Sequence, residues 1–216
     1  MAESAIQSIV FFVILIFSVV IHEVSHGFMA LFLGDRTAQY EGRLTLNPIP
    51  HIDLFGSIIL PLLLITFQSP FLIGWAKPVP YNPYNLRDQK WGPALVGVAG
   101  PAANILLAVV FGLFVRSLPG LVSVLGGGFV FNFMTIASSI VLLNLVLAVF
   151  NLVPIPPLDG SKVLFALMPY RWDSVRIFLE QYGFFLLIFF ILFLFQRIFP
   201  VVLILYRLIT GSLPFL

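Results

Sequence analysis

The chain has 216 residues, 60% of them hydrophobic and only 9% charged, with a mean hydropathy of +1.09. A surface so poor in charge cannot keep a domain of this size in water, which excludes a soluble enzyme and leaves an all-α polytopic membrane protein. The net charge of +2 is scattered rather than clustered, arguing against nucleic acid as a partner, and the lack of cysteine excludes disulfides and thiolate metal sites. His, Asp and Glu are then the strong metal ligands available.

In chain order, the first apolar run covers about residues 5–33. At 1.5 Å per residue this crosses a hydrocarbon core of about 30 Å. Met1-Ala2-Glu3-Ser4 carries no basic residue ahead of it, so the run reads as a retained span, not a signal peptide. Its C-terminal half holds Ile21-His22-Glu23-Val24-Ser25-His26-Gly27. Ionisable groups inside a span are costly and mark function. Residues four apart share a helix face, so His22 and His26 can bind one ion, and Glu23, about 100° round, can reach a water on it. The competing reading is a pair of histidines hydrogen-bonded to neighbouring helices beside a protonated Glu23.

Residues 37–53 change character. Tyr40 to Pro48 alternates weakly and carries turn residues at Gly42 and Asn47-Pro48, which predicts a short β-hairpin or extended strand beside the site. Residues 54–75 are apolar but interrupted by Pro61, Ser69-Pro70 and Gly74, and either cross or re-enter. A proline-rich loop occupies 74–92. Spans follow at 95–115, containing Gly100-Pro101-Ala102-Ala103-Asn104, and at 131–150, containing Asn144, with a Gly/Ser-rich turn at 117–128 between them.

The chain then breaks at Asn151-Leu152-Val153-Pro154-Ile155-Pro156-Pro157-Leu158-Asp159-Gly160, whose prolines forbid a continuous helix. A short helix to about residue 168, a polar linker at 169–176 and two apolar spans, at about 178–195 and 198–212, complete the chain. The expectation is about five to six transmembrane helices with a re-entrant segment and the hairpin, in one membrane domain over 1–216.

Topology and site constrain each other. With the N-terminus extracytoplasmic, eight of the eleven Lys and Arg residues fall on the cytoplasmic side, as the positive-inside rule favours. This requires 54–75 to re-enter. It also makes the first span parallel to 131–150, so that Asp159 matches the depth of His22 and His26. A catalytic zinc wants three protein ligands and an open position. Asp159 is favoured as the third over His51 and Asp53, because the proline run gives it a reason to sit at depth; its alternative role is to cap the following helix. His51 and Asp53 are expected to anchor a loop or to orient an imidazole.

The three motifs His22-Glu23-x-x-His26, Gly100-Pro101-x-x-Asn104 and Asn151-x-x-Pro154-x-Pro156-Pro157-Leu158-Asp159-Gly160 resemble those of the site-2 protease family of intramembrane zinc metalloproteases, over about residues 6–168. The resemblance implies one Zn2+ held by His22, His26 and Asp159, with Glu23 as general base. It also implies cleavage of transmembrane protein substrates within the lipid bilayer, in a bacterial or archaeal cell membrane with the site towards the cytoplasm. No segment matches the PDZ domain or the C-terminal nucleotide-sensing module of larger members. Asn151 is then expected to bind substrate backbone and Asn104 to line the water path or hold the substrate strand, while Asn144 is read as an interhelical hydrogen bond; the strand near Glu41–Leu46 would capture substrate by strand addition. A divalent-metal transporter and an inactive membrane-segment scaffold are the alternatives. The oligomeric state is left open.

Overall fold

The computed structural model describes residues 2–67, 74–121 and 126–213. The predicted break at Ser69-Pro70 and residues 122–125 of the predicted turn lie outside the described residues. The long helices are α1 (Ala2–Phe32), α4 (Gly92–Ser117) and α5 (Gly127–Asn151), followed by the short α6 (Gly160–Leu167), then α7 (Asp173–Phe189) and α8 (Phe195–Thr210). Two short helices, α2 (Thr37–Tyr40) and α3 (Leu60–Thr66), lie between α1 and α4. The described residues are 77% helical and contain no strand.

Among the described residues, four helical stretches are long and apolar enough to cross a membrane: Ile9–Phe32, Gly92–Gly120, Gly127–Asn151 and Tyr170–Thr210. The count of five to six is thereby not reached, because the two predicted C-terminal spans form a single 41-residue stretch. Gln196 and Arg197 lower the hydropathy there but lack turn chemistry. A π-helical segment, Phe190–Leu194, absorbs the irregularity, and Pro200 lies inside α8. Neighbouring helices commonly let a membrane helix tolerate such a proline.

Residue contacts fix how the first three long helices run. His26 meets Val96, and Ser18 meets both Asn104 and Asn144. Rising residue numbers on α1 therefore oppose falling ones on α4, while α5 runs parallel to α1. On the far side of α4, Ala108, Val141, Leu145, Val202 and Tyr206 form a buried cluster that seats α8 on α4 and α5. A second cluster, Val153, Leu158 and Phe190, packs the proline turn after α5 against the last stretch.

The α1 helix ends at Gly34, whose φ of 112° suits glycine, with Asp35 N–H donating to Ala30 O and Gly34 N–H to Leu31 O. Asp35 is fully buried. It accepts hydrogen bonds from Thr37, from the Asn85 side chain and from the Asn82 N–H, tying the end of α1 to the proline-rich loop. Burial pushes the Asp35 carboxyl up, and these hydrogen bonds outweigh it and hold it below its ordinary value.

The expected β-hairpin is absent. Thr37–Tyr40 is one helical turn, and the backbone polar groups that follow are satisfied locally. Asn47 Oδ1 accepts from Ile49 N–H, and Thr45 O accepts from the His51 ring. The weak alternation had another cause, since Leu44 turns inward against Gly27 while Leu46 stays exposed.

The π-helical segment Leu54–Ile59 and α3 span about 20 Å at 1.5 Å per residue, too short to cross. Trp75 N–H donates to Gly56 O, Ser57 Oγ donates to Trp75 O, and the indole packs on Gly56. Trp75 is thereby seated on the start of this segment, at Gly56 and Ser57.

Candidate metal centre

His22 and His26, one turn apart on α1, point at α4 where it offers almost no side chain. A Cβ on Gly100 would lie 2.6 Å from the His26 ring and 2.7 Å from that of His22. Asp159 arrives from the other side. Gly160 packs on the Leu152 and Val153 carbonyls, closing the proline turn so that Asp159 lies beside Gly97 of α4. The Asp159 side chain makes no cap hydrogen bond to α6. Its capping alternative falls away.

The three residues are buried, at 5%, 7% and 7% exposure for His22, His26 and Asp159. His22 Nε2, His26 Nε2 and Asp159 Oδ2 form a triangle with every edge 3.1 Å. Ligands 2.0–2.1 Å from a tetrahedral ion stand about 3.3 Å apart, so the triangle has the dimensions of one face of such a site.

The donor set also fits a cation. His22 Nδ1 donates to Asn104 Oδ1 and His26 Nδ1 to Val96 O, both at 2.6 Å. A neutral imidazole that donates from Nδ1 carries a lone pair on Nε2. Two such lone pairs and a carboxylate oxygen converge here, an arrangement that repels itself unless a cation lies between them. Among the described residues, this is the one group of three such side chains near enough to hold an ion.

Glu23, next to His22 in α1, is half-buried, with Oε2 accepting from Val79 N–H at 2.9 Å. Lys162, one turn into α6, places Nζ 2.9 Å from Asp159 Oδ1, so the two carboxylate oxygens have separate tasks. Arg43, also buried, donates from Nη2 to Lys77 O and Pro78 O. Sequence reasoning missed these three contacts. Only the Lys162 spacing, three residues after Asp159 at a helix start, could have signalled one of them.

The remaining candidates lie elsewhere. Asn104 touches His22, whereas Asn151 turns its amide back on Leu147 O of its own helix. His51 donates to Thr45 O and Asp53 accepts from Gly56 N–H, so these two shape the chain leading into the segment Leu54–Ile59. Neither orients an imidazole, because Asn104 and the Val96 carbonyl already hold both Nδ1 atoms.

Known proteins resemble this chain over most of its length. YwhC of Bacillus subtilis is 38% identical over 183 residues, covering 83% of this chain and 77% of YwhC. The chain belongs to peptidase family M50. The M50 sequence profile matches residues 115–194, which include Asp159. Rip2 of Mycolicibacterium smegmatis is 32% identical over 68% of the chain and 52% of Rip2, and a Methanocaldococcus jannaschii protein, MJ0611, is 32% identical over 59% of each. All three are named, by assignment only, as zinc metalloproteases. The M50 chain thus spans about half the length of Rip2. No solved structure matches it.

Proposed function

We propose that this M50 chain is an intramembrane zinc metalloprotease that hydrolyses peptide bonds in or near the transmembrane segments of other membrane proteins. The observation that carries the proposal is the 3.1 Å triangle of His22, His26 and Asp159, with a carboxylate on the residue next to His22. His22, His26 and Asp159 would hold the ion. When bound, zinc supplies Lewis acidity, which makes water nucleophilic near neutral pH and polarises a carbonyl.

The chain's own groups do the rest. Glu23 takes a proton from the attacking water and returns it to the departing amine. The Val79 N–H holds Oε2, leaving Oε1 for the proton. Lys162 keeps Asp159 Oδ1 occupied, so that Oδ2 alone faces the histidines. The positive-inside rule supports a reading in which the Lys- and Arg-rich loops at this end of the bundle face the cytoplasm and the N-terminus lies outside. A substrate helix must unwind to present a carbonyl, since its own ladder otherwise engages it.

The test uses the full chain reconstituted in lipid with a single-span candidate substrate. Wild type should cleave. Glu23→Gln should abolish cleavage while zinc stays bound at one per chain, and His22→Ala should lose both. Zinc flux into vesicles without cleavage would instead mark a transporter, and substrate binding without Glu23-dependent hydrolysis a scaffold.

A further inference from the structure

A chain of buried amides runs from a backbone carbonyl on α5 to Nδ1 of His22, the ring nitrogen opposite the one that faces His26 and Asp159. Asn144 donates from Nδ2 to Ile140 O at 2.8 Å and to Ser18 Oγ at 2.9 Å. Its Oδ1 therefore faces Asn104, whose Nδ2 donates to it at 2.7 Å and to Ser18 O at 3.3 Å. Asn104 Oδ1 is left facing His22 and accepts from Nδ1 at 2.6 Å. Both amides are fully buried, so water offers no substitute partner.

The direction of this chain is not free. A carbonyl oxygen has no proton to give. Turning Asn144 over would set its oxygen against Ile140 O; turning Asn104 over would set its oxygen against Ser18 O and Asn144 Oδ1 together. Each reversal leaves buried acceptors facing each other, at the full desolvation cost of groups left unpaired. Only one arrangement satisfies every member. A neutral His22 is then obliged to carry its proton on Nδ1 and a lone pair on Nε2, the atom 3.1 Å from His26 and Asp159.

We propose that Asn144, separated from the imidazole by a whole side chain, is a positioning residue that sets the tautomer of His22 through Asn104 and so prepares the metal site. The inference rests on the zinc-protease reading for its purpose, but not for its measurement. His26 serves as an internal control, since its Nδ1 is fixed directly by Val96 O. His51 provides a contrasting signal, because its Nε2 is the atom that meets Thr45 O.

The experiment is nitrogen NMR on the full chain labelled at histidine, in lipid and free of metal, paired with zinc affinity measured by chelator competition. In wild type, His22 and His26 should both show the Nδ1–H form. Asn144→Leu should turn His22 into a mixture of tautomers, leave His26 unchanged and weaken zinc binding about tenfold, the low end of what lost ligand-orienting contacts cost. In an Asn104→Asp background, where a carboxylate accepts whichever way it is turned, adding Asn144→Leu should change zinc affinity less than about twofold. Asn144→Ala serves as a second variant if the leucine does not fold.

A His22 ring that stays purely Nδ1–H in Asn144→Leu or Asn144→Ala, with zinc affinity within about twofold of wild type, overturns the relay. So does an equal effect on His26. A wild-type chain that takes up no zinc counts against the protease reading instead, and the relay is then decided by the ring spectra alone.

Discussion

The Val79 N–H donates to Glu23 Oε2 at 2.9 Å, joining residues 56 apart in sequence. Pro78 and Pro80 flank Val79 and have no N–H, so the Pro-Val-Pro segment offers a single donor and spends it on this carboxylate. Gly27, one turn beyond Glu23, makes the approach possible, since a Cβ there would meet Leu44 and come within 2.9 Å of the Val79 side chain. One side of α1 thus faces α4 with its histidines, and another receives the loop with Glu23 and Gly27.

Arg43 keeps that loop in place through the Lys77 and Pro78 carbonyls. Arg43→Ala should release the Val79 amide from Glu23 and lower kcat by about 10- to 100-fold, as small misplacements of a catalytic group do. Zinc content should stay at one per chain, and KM should change little. A variant that loses zinc together with activity, or that keeps kcat, would show that the loop does not act through Glu23.

Lys162 divides the carboxylate of Asp159 between two partners. Removing it in Lys162→Ala frees Oδ1 to swing towards the ion site and leaves Asp159 less firmly oriented. Zinc affinity should fall about tenfold, while Lys162→Arg, which can still donate to Oδ1, should recover most of it. Chelator competition measures both. Equal loss in the two variants would point to packing against Tyr81, whose ring lies 5.5 Å from Nζ, in place of the ion pair.

How much of this was legible in the sequence depended on what kind of group carried the information. His22, Glu23 and His26 announce themselves because ionisable side chains at helical spacing stand out in an apolar run. Asp159 does so because prolines exclude a helix around it. The contact from Val79 has no such signature, since every residue but proline carries a backbone N–H and only the folded chain shows where it points. Arg43 counts in the sequence only as one of the eight basic residues on the cytoplasmic side, yet it is buried on carbonyls. The C-terminal stretch misled for a different reason: Gln196 and Arg197 are exposed on a continuous helix, and hydropathy alone reads such a pair as a turn.

Asp35 gives the fold a pH dependence with a definite sign. Its carboxyl is held below the ordinary value when folded and returns to about 3.9 when unfolded. Its stabilisation is therefore complete above about pH 4 and is lost as pH falls through the lower folded value. Asp35→Asn sets an N–H against donors from Thr37, Asn82 or Asn85, at a cost of about 2 kcal/mol at neutral pH. Melting of the two proteins in detergent should differ at pH 7 and converge as the pH is lowered towards about 2. A constant gap across that range would assign the loss to shape and not to charge.

Gly100 tests whether α4 must lie against the imidazoles. A methyl group there would stand 2.6 Å from His26 Nε2 and 2.7 Å from His22 Cε1, closer than carbon atoms approach rings without something moving. Alanine favours the helix over glycine by up to about 1 kcal/mol, so α4 itself should not suffer. The rings, however, cannot retreat freely, because Asn104 and Val96 O hold their far sides. Gly100→Ala should therefore cost about 1 to 3 kcal/mol of stability without metal, and in addition lose zinc binding and the extra thermal stability that saturating zinc confers on wild type, which mass action puts at about 2.7 kcal/mol when zinc is 100-fold above its Kd. Gly112→Ala, on the same helix but against Ile209, provides the contrast: it should disturb the packing of α8 and leave zinc binding alone. Should Gly100→Ala bind zinc as wild type does, the two histidines would have to reach their ion from a position other than the one they occupy against α4.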